Sequence, residues 1–393
     1  MQTFLIVYAG LSALILGFHL ALAVGLVRNM ARSRRPRTRS GSTAMLGAEV
    51  IVALRNEERT LPALLESLRV QTRNDAMFLF VDDRSTDATG RLLDEFCAAE
   101  GERARVIHNT REPQVLTGKQ AALDLAFAAS RGDVLLFTDG DCTVAPGWVE
   151  DMVGCFQDPA VGAAIGRIEL ETDASFLQRF QAFEQPLLNQ YNLGSVGIGL
   201  ATGGFGNTMA VRAEAVRETG GFQVLGYSVT EDAMLLDAVC HKAGWKPSAC
   251  VTAAGAARTI AKTRWADYVN QHTRWNAGGL FSEDPITRFF YVLVVLIYLT
   301  GSLLVLPLGI LDWRVPVLSL TSLVSIGMLA AIGGFYEGKD RIRYFVPFLP
   351  FLVFFAFFYV FVTLRAFVWR PFEWKGRMLS PRSSLKRTPA GPA

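Results

Sequence analysis

Asp139 and Asp141 stand one glycine apart at the end of an apolar run, Val134 to Phe137, in the stretch DVLLFTDGDCTV. In an extended chain residues i and i+2 face the same side. The spacing therefore predicts two carboxylates aimed at one spot, with Gly140 leaving the backbone unobstructed. Like charges held that close repel, and unless a cation intervenes one takes up a proton or the pair destabilises its surroundings. A hard divalent ion with oxygen ligands, Mg2+ or Mn2+, resolves the conflict, and such an ion ordinarily arrives with substrate phosphates. A polar turn after a buried strand is the competing structural reading.

Other stretches have the same double character. In SVTEDAMLLDAV, Thr230, Glu231 and Asp232 precede an amphipathic run. They serve either as an ordinary helix start, where acids suit the positive end, or as carboxylates placed to accept a proton in a cleft. DDRSTD holds acids after an apolar run, with Ser85 or Asp87 available to cap the next helix. YVNQHTRWNAGG puts Gln271, Arg274 and Trp275 within one helical turn. Arg offers a fork for phosphate oxygens, Gln a neutral donor, and Trp a flat face for a sugar ring; an amphipathic helix beside a membrane is the plainer reading.

The elements that must position these groups alternate. From Glu49 short apolar runs (VIVAL, MFLFV, RVIH, VLLF) alternate with helical-period segments near 60–70, 86–99 and 119–130. That order predicts a mostly parallel, doubly wound α/β sheet with ligands at the carboxyl ends of its strands. ALRNEE, DDRSTD and TDGDC all fall at such ends. Paired acids after a strand also occur in phosphoacceptor receiver domains, but such a domain is much shorter and needs no TDGDC downstream.

The 393-residue chain is 51% hydrophobic with a formal charge of +3. The apolar excess is concentrated in Phe4 to Val27, Phe289 to Leu311, Val315 to Tyr336 and Tyr344 to Leu364, each long enough to cross a bilayer. Arg28, Arg32, Arg34, Arg35, Arg37 and Arg39 follow the first, which reads as a stop at the cytoplasmic face and puts the middle of the chain in the cytoplasm. A cleaved signal peptide would have a basic start and a shorter apolar core. Cys97, Cys142, Cys155, Cys240 and Cys250 lack metal-type spacing and suit packing in a reducing compartment. The basic residues cluster beside apolar segments, which points to lipid headgroups and away from nucleic acid.

Taken in order, ALRNEE, VDDRSTD, GKQAALDLAF, TDGDC, TED and QHTRW resemble the inverting glycosyltransferases of family 2, which have the GT-A fold, and within them the membrane-integrated subset with a Q-x-x-R-W motif. The resemblance covers residues 48 to 280. The layout, with one leading membrane helix and a short bundle behind the motif, is similar to that of ceramide glucosyltransferase. It implies a transmembrane helix over 1–29, a basic linker over 30–47, a cytoplasmic GT-A domain over 48–284, a transmembrane region over 285–369 with about three helices, and a basic tail over 370–393. The protein is then expected in a bacterial inner membrane. The resemblance further implies that Asp83 reads the uracil or ribose of a UDP-sugar, with Asn56 and Glu57 near the nucleoside and Lys119 near the diphosphate. Asp139 and Asp141 would hold Mg2+ or Mn2+ against the phosphates and sugar. Asp232, with Glu231 beside it in the catalytic set, would be the general base. Gln271 and Arg274 would steady the departing pyrophosphate, Trp275 would floor the acceptor site, and Asn207 of TGGFGNTMAVR would border it.

Three features qualify that picture. Arg84 stands where many relatives have Gly, expected to alter the loop without touching Asp83. The stripe Phe176, Phe180, Phe183, Leu187 and Tyr191 is either a core face or a membrane-interface face. Three crossings after a cytoplasmic domain would put the tail outside, yet Arg370, Lys375, Arg377, Arg382, Lys386 and Arg387 favour the inside, and Pro347 and Pro350 suit a re-entrant turn. The expected activity is sugar transfer from a nucleotide-sugar to a lipid acceptor, the alternative being a processive polysaccharide synthase. A scaffold or transporter subunit would leave the polar motifs without a purpose.

Overall fold

The computed structural model describes residues 2–33, 46–111, 116, 118–173, 175–201, 203–228, 230–282, 284–299, 305–337, 348–368, 372–374 and 377–379. They fall into two compact units. One is built from Asn29–Glu171 and Gly199–Ile260, the other from Met1–Arg28, Thr172–Ile198 and Ala261–Ala393. The expected continuous domain over 48–284 is thus interrupted. Residues 172–198 and 261–284 belong to the unit that also holds the long apolar helices.

The first unit is an α/β sandwich. Its strands are β1 (Ala48–Leu54), β2 (Met77–Asp83), β3 (Ala104–Asn109), β4 (Val134–Asp139), β5 (Cys142–Val144), β6 (Val161–Ile165), β7 (Arg167–Glu171), β8 (Met209–Arg212), β9 (Lys246–Ala249) and β10 (Ala256–Ile260). Seven form one sheet in the order β3-β2-β1-β4-β8-β6-β9, and β5-β10-β7 form a second. The four apolar runs read from the sequence are the adjacent parallel strands β3, β2, β1 and β4. Val50, Val52, Phe78, Phe80, Val134 and Leu136 are fully buried, which is why the runs of β1, β2 and β4 are apolar throughout and not alternating; β3, at the edge of the sheet, is only partly buried and carries Arg105 and His108. The sheet is mixed: β8 runs antiparallel to both β4 and β6. Periodicity carried no sign of strand direction there, because direction is set by the path of the intervening chain.

The helices of this unit are α2 (Leu61–Arg69), α3 (Thr89–Glu100), α4 (Lys119–Ala129), α5 (Trp148–Val153), α7 (Ala213–Glu218), α8 (Gly221–Leu225) and α9 (Glu231–Asp237). In α2, Leu61, Leu64, Leu65 and Leu68 recur at helical spacing and are all buried in the core with Trp148 and Phe156. Burying each such leucine contributes on the order of 2 kcal/mol. The five cysteines are all free thiols, three of them buried.

The second unit is helical: α1 (Gln2–Ser33, its last residues counted with the first unit), α6 (Phe176–Gly197), α10 (Trp265–Leu280), α11 (Pro285–Tyr298), α12 (Val305–Leu311), α13 (Arg314–Glu337) and α14 (Phe348–Phe367). Among the described residues two helical stretches are long and apolar enough to cross a membrane, Gln2–Ser33 and Arg314–Gly333. The expected span from Phe289 is a shorter helix followed by residues outside those described, as are residues 344–347 of the last expected span. Pro350 lies inside α14, while Pro347 and most of the basic tail lie outside the described residues. Apolar side chains point outward, among them Ile6, Val7 and Leu20 on α1 and Leu320, Val324 and Met328 on α13, a surface suited to lipid. Where α1 crosses α6 the backbones touch. A Cβ added to Gly25 would lie 2.0 Å from the Gly194 carbonyl oxygen, so the small residues permit the approach.

The Phe176 stripe is divided in use. Phe180 and Leu187 are buried, and Phe180 meets Phe354 edge-on at 4.8 Å and Tyr268 at 6.1 Å. Phe176 at its start is 55% exposed.

Candidate active site

The loops after β1 and β2 are knitted together. Asn56 N–H donates to Ser85 Oγ (3.0 Å), Glu57 N–H to Thr89 Oγ1 (2.8 Å) and Glu58 N–H to Asp87 Oδ2 (3.1 Å). In return Thr86 N–H donates to Asn56 Oδ1 (2.8 Å) and Ala88 N–H to Glu58 Oε2 (3.0 Å). Ser85 therefore serves the neighbouring loop instead of the helix amides expected for it. Asp87 does both, accepting also from Thr89 N–H at 3.0 Å. Asn56 takes a left-handed backbone (φ 53°), which asparagine tolerates, and spends its side-chain carbonyl on the latch.

Asp83 closes β2 and is buried. Its Oδ1 accepts from Asn109 Nδ2 (2.9 Å) and Arg84 Nε (3.0 Å), and its Oδ2 from Arg84 Nη2 (3.3 Å). Arg55 Nη1 lies 3.8 Å from the same oxygen. The expectation for Arg84 is corrected here. It retains the left-handed backbone a glycine would adopt (φ 59°), and it does touch Asp83, by a two-pronged ion pair. One residue back, Asp82 accepts from Ser85 N–H and faces His108 at 3.2 Å. The other nitrogen of His108 is 3.0 Å from Asp94. The hydrogen bond to Asp94, joined by that to Asp82, holds the His108 pKa above its ordinary value against the opposing effect of burial.

Asp139 and Asp141 flank a turn, not an extended run, since β4 ends at Asp139 and β5 begins at Cys142. Gly140 leaves room at this point: a Cβ there would lie 2.7 Å from Leu54 Cδ2 and 2.9 Å from Glu57 Cγ and would push those side chains aside. The cation that the paired carboxylates call for is in part the protein's own. Lys119, at the start of α4, hydrogen-bonds Asp139 and lies 3.4 Å from Glu231 Oε1. A cation at a helix N-terminus opposes the dipole, and burial also disfavours it. The carboxylates of Asp139, Glu231 and Asp232 outweigh both and hold the Lys119 pKa above the ordinary lysine value.

Asp141 is partly exposed, with the Cys142 thiol 3.7 Å from its Oδ1. Burial, and then Asp141 and Asp139, push that thiol well up, so it remains a protonated donor. Asn207 Nδ2 meets the same sulfur at 3.4 Å. Asp232, at the second position of α9, accepts from Gly206 N–H through Oδ2 (2.8 Å) and from Ala233 N–H through Oδ1 (2.8 Å). Thr230 precedes the helix without a side-chain capping bond.

The fold thus gathers Lys119, Asp139, Glu231 and Asp232 into one charged cluster, and sets Asn207 beside Cys142, directly after the D-G-D turn. Gln271, Arg274 and Trp275 lie on α10 of the helical unit, each partly exposed. Sequence reasoning missed Gln120. Its side chain is buried and holds the loop leading into Thr230, donating to the Gly226 carbonyl (2.9 Å) and accepting from Ser228 N–H (2.8 Å). A buried amide directly after Lys119, in a run of alanines, was the available signal. Arg55 and Asn109, the further partners of Asp83, carried none, since each belongs to a different strand end.

A mixed α/β sheet of this order, with carboxylates at its carboxyl edge, is a GT-A-like fold. Residues 49–220 match Glycosyl transferase family 2. The chain is 30% identical over 171 residues to "Probable glycosyltransferase YdaM" of Bacillus subtilis, covering 42% of this chain and 40% of that protein. It is 26% identical over 312 residues to the beta-monoglucosyldiacylglycerol synthase of Synechocystis, covering 75% of this chain and 63% of the synthase. The chain therefore spans less than two thirds of either relative. Among solved structures, the mannosyltransferase PcManGT from Pyrobaculum calidifontis, in complex with GDP-Man and Mn2+, shares the fold, with a TM-score of 0.55, 15% identity, and coverage of 92% of this chain and 99% of that one. The match to Glycosyl transferase family 2 thus falls on the stretch from β1 to just beyond α7.

Proposed function

We infer that this protein is an inverting glycosyltransferase that moves a sugar from a nucleotide-sugar, specifically a UDP-sugar, to a lipid acceptor at the membrane. The observation that carries the reading is the convergence of Asp139, Lys119, Glu231 and Asp232 at the carboxyl edge of the sheet, beside a D-G-D turn whose glycine packs closely under Leu54 and Glu57. Asp83, Asn56 and Glu57 serve the nucleoside, and Lys119 the diphosphate. Asp139 and Asp141 are hard oxygen donors and fit Mg2+ or Mn2+; when bound, the ion neutralises the leaving diphosphate. Asp232, held by two backbone amides, is placed to take the proton of an acceptor hydroxyl as it attacks the anomeric carbon from the face opposite the diphosphate. One such displacement inverts the configuration. Gln271 and Arg274 steady the pyrophosphate, while Trp275 and Asn207 border the acceptor.

The lipid acceptor is favoured by the glucosyldiacylglycerol synthase among the relatives and by the apolar outward faces of α1 and α13, which suit an integral membrane protein with its α/β unit in the cytoplasm. The test is incubation of the purified full chain with a panel of UDP-sugars and membrane lipid extract, followed by chromatography and mass spectrometry. One organic-soluble product with one or few sugars is expected. Trp275→Ala should lower its formation while sparing slow donor hydrolysis, because water needs no platform. A water-soluble ladder of growing chains would instead establish a processive polysaccharide synthase.

A further inference from the structure

α6 and α10 share a carboxylate that the reaction does not use. Glu184 on α6 and Tyr268 and His272 on α10 are each no more than 2% exposed. The Tyr268 hydroxyl donates to Glu184 Oε2, and His272 Nε2 lies 2.8 Å from Glu184 Oε1. His272 Nδ1 is 3.0 Å from the Tyr268 carbonyl and donates to it, because a carbonyl can only accept. Both oxygens of Glu184 are therefore bound, whichever of the carboxyl and imidazole carries the proton between them. Phe358 covers the group, 5.0 Å from the Tyr268 ring and 5.2 Å from the His272 ring.

A carboxyl in such surroundings is a poor source of stability. Its desolvation cost is offset only while both partners stay in place, and apolar residues of similar volume would hold the helices together as well. What the arrangement supplies is direction. Greasy contacts between helices tolerate rotation, whereas the two directed bonds from α10 to Glu184 do not. Two further ties act on the same helix from α14, the buried bond from Thr363 Oγ1 to Asn276 Oδ1 (3.0 Å) and a partly buried one from Arg365 Nη2 to Asn270 Oδ1 (3.3 Å). Tyr268, His272 and Asn276 are buried, while Gln271, Arg274 and Trp275 of the same helix are partly exposed. Successive residues are about 100° apart around a helix, so a slip of one residue would turn that second set into the bundle.

We propose that Glu184, Tyr268 and His272 are positioning residues that lock the rotation of α10 and so aim Gln271, Arg274 and Trp275. The proposal rests on the reading that Arg274 acts in the transfer reaction.

The test is a double-mutant cycle on the full chain in detergent, with the transfer assay, calorimetry of UDP binding and thermal melting. Glu184→Leu is expected to stay folded, to bind UDP within about twofold of the parent, and to lose about tenfold or more in kcat with little change in donor KM. Glu184→Gln can accept from Tyr268 and donate to neutral His272, and should remain within about threefold of the parent. Glu184→Leu combined with Arg274→Ala should be no slower than Arg274→Ala alone, because one loss contains the other. If Glu184→Leu does not fold, Tyr268→Phe takes its place in the cycle and should show a smaller kcat loss that Arg274→Ala again absorbs. Losses that multiply in the double variant, or a parental kcat in the single one, would overturn the proposal. A parental rate in Arg274→Ala would instead overturn the assignment of α10 to the reaction, a result the cycle separates from the first.

Discussion

Arg84 holds both carboxylate oxygens of Asp83, through Nε at 3.0 Å and Nη2 at 3.3 Å, from a backbone position with φ 59°. A nucleoside that is to be read by Asp83 has to share or displace this pair. Arg84→Gly removes the competitor and relieves the left-handed strain, so UDP is expected to bind about three- to tenfold more tightly, with no loss in melting temperature. Isothermal titration calorimetry measures it. Weaker binding would mean that Arg84 itself contacts the nucleotide.

Activity should require a divalent ion and disappear in Asp141→Ala, whose carboxylate is the one not bound to Lys119. Asp139→Ala should weaken metal use about tenfold or more, since it removes a ligand and also frees the Lys119 ammonium to turn toward Glu231. Metal titration of both variants checks this, and full turnover in excess EDTA would contradict it.

Asp232→Asn keeps an oxygen for the Gly206 or Ala233 amide but removes the base. UDP binding should be nearly intact while the rate falls on the order of a hundredfold or more. If binding were lost in proportion to rate, Asp232 would be only a helix-start residue.

His108 lies between Asp94 and Asp82, and its pKa is raised in the folded protein. A raised folded value means that the contribution is complete below the unfolded pKa of about 6.5 and is lost as pH rises through the folded one. The ring is 41% exposed, so solvent screens the effect, and the expected change in melting temperature is small, about 1–3 °C. Melting curves across that pH window should show the parent losing this increment and His108→Gln lacking it. Equal pH dependence in both would place the titrating group elsewhere.

The order of elements in the α/β unit was legible in the chain because its causes are local. Three runs buried on both faces, those of β1, β2 and β4, read as continuous apolar segments, and helices such as α2 repeat leucine at helical spacing. The polar motifs at the strand ends were legible for the same reason, since a carboxylate directly after a buried strand must lie at the sheet's edge. Which of them meet was not legible. Lys119 reaches Asp139 across 20 positions and Glu231 across a far longer stretch, and the antiparallel insertion of β8 beside β4 depends on how the chain returns, which no local pattern encodes. Arg84 illustrates the limit: its identity was visible as a departure from glycine, but only the folded loop brings its guanidinium back onto Asp83. The Glu184–His272 contact, 88 positions apart, is of the same kind. A buried charge finds its partner through packing, and packing is a property of the whole fold, whereas periodicity and motif belong to the chain.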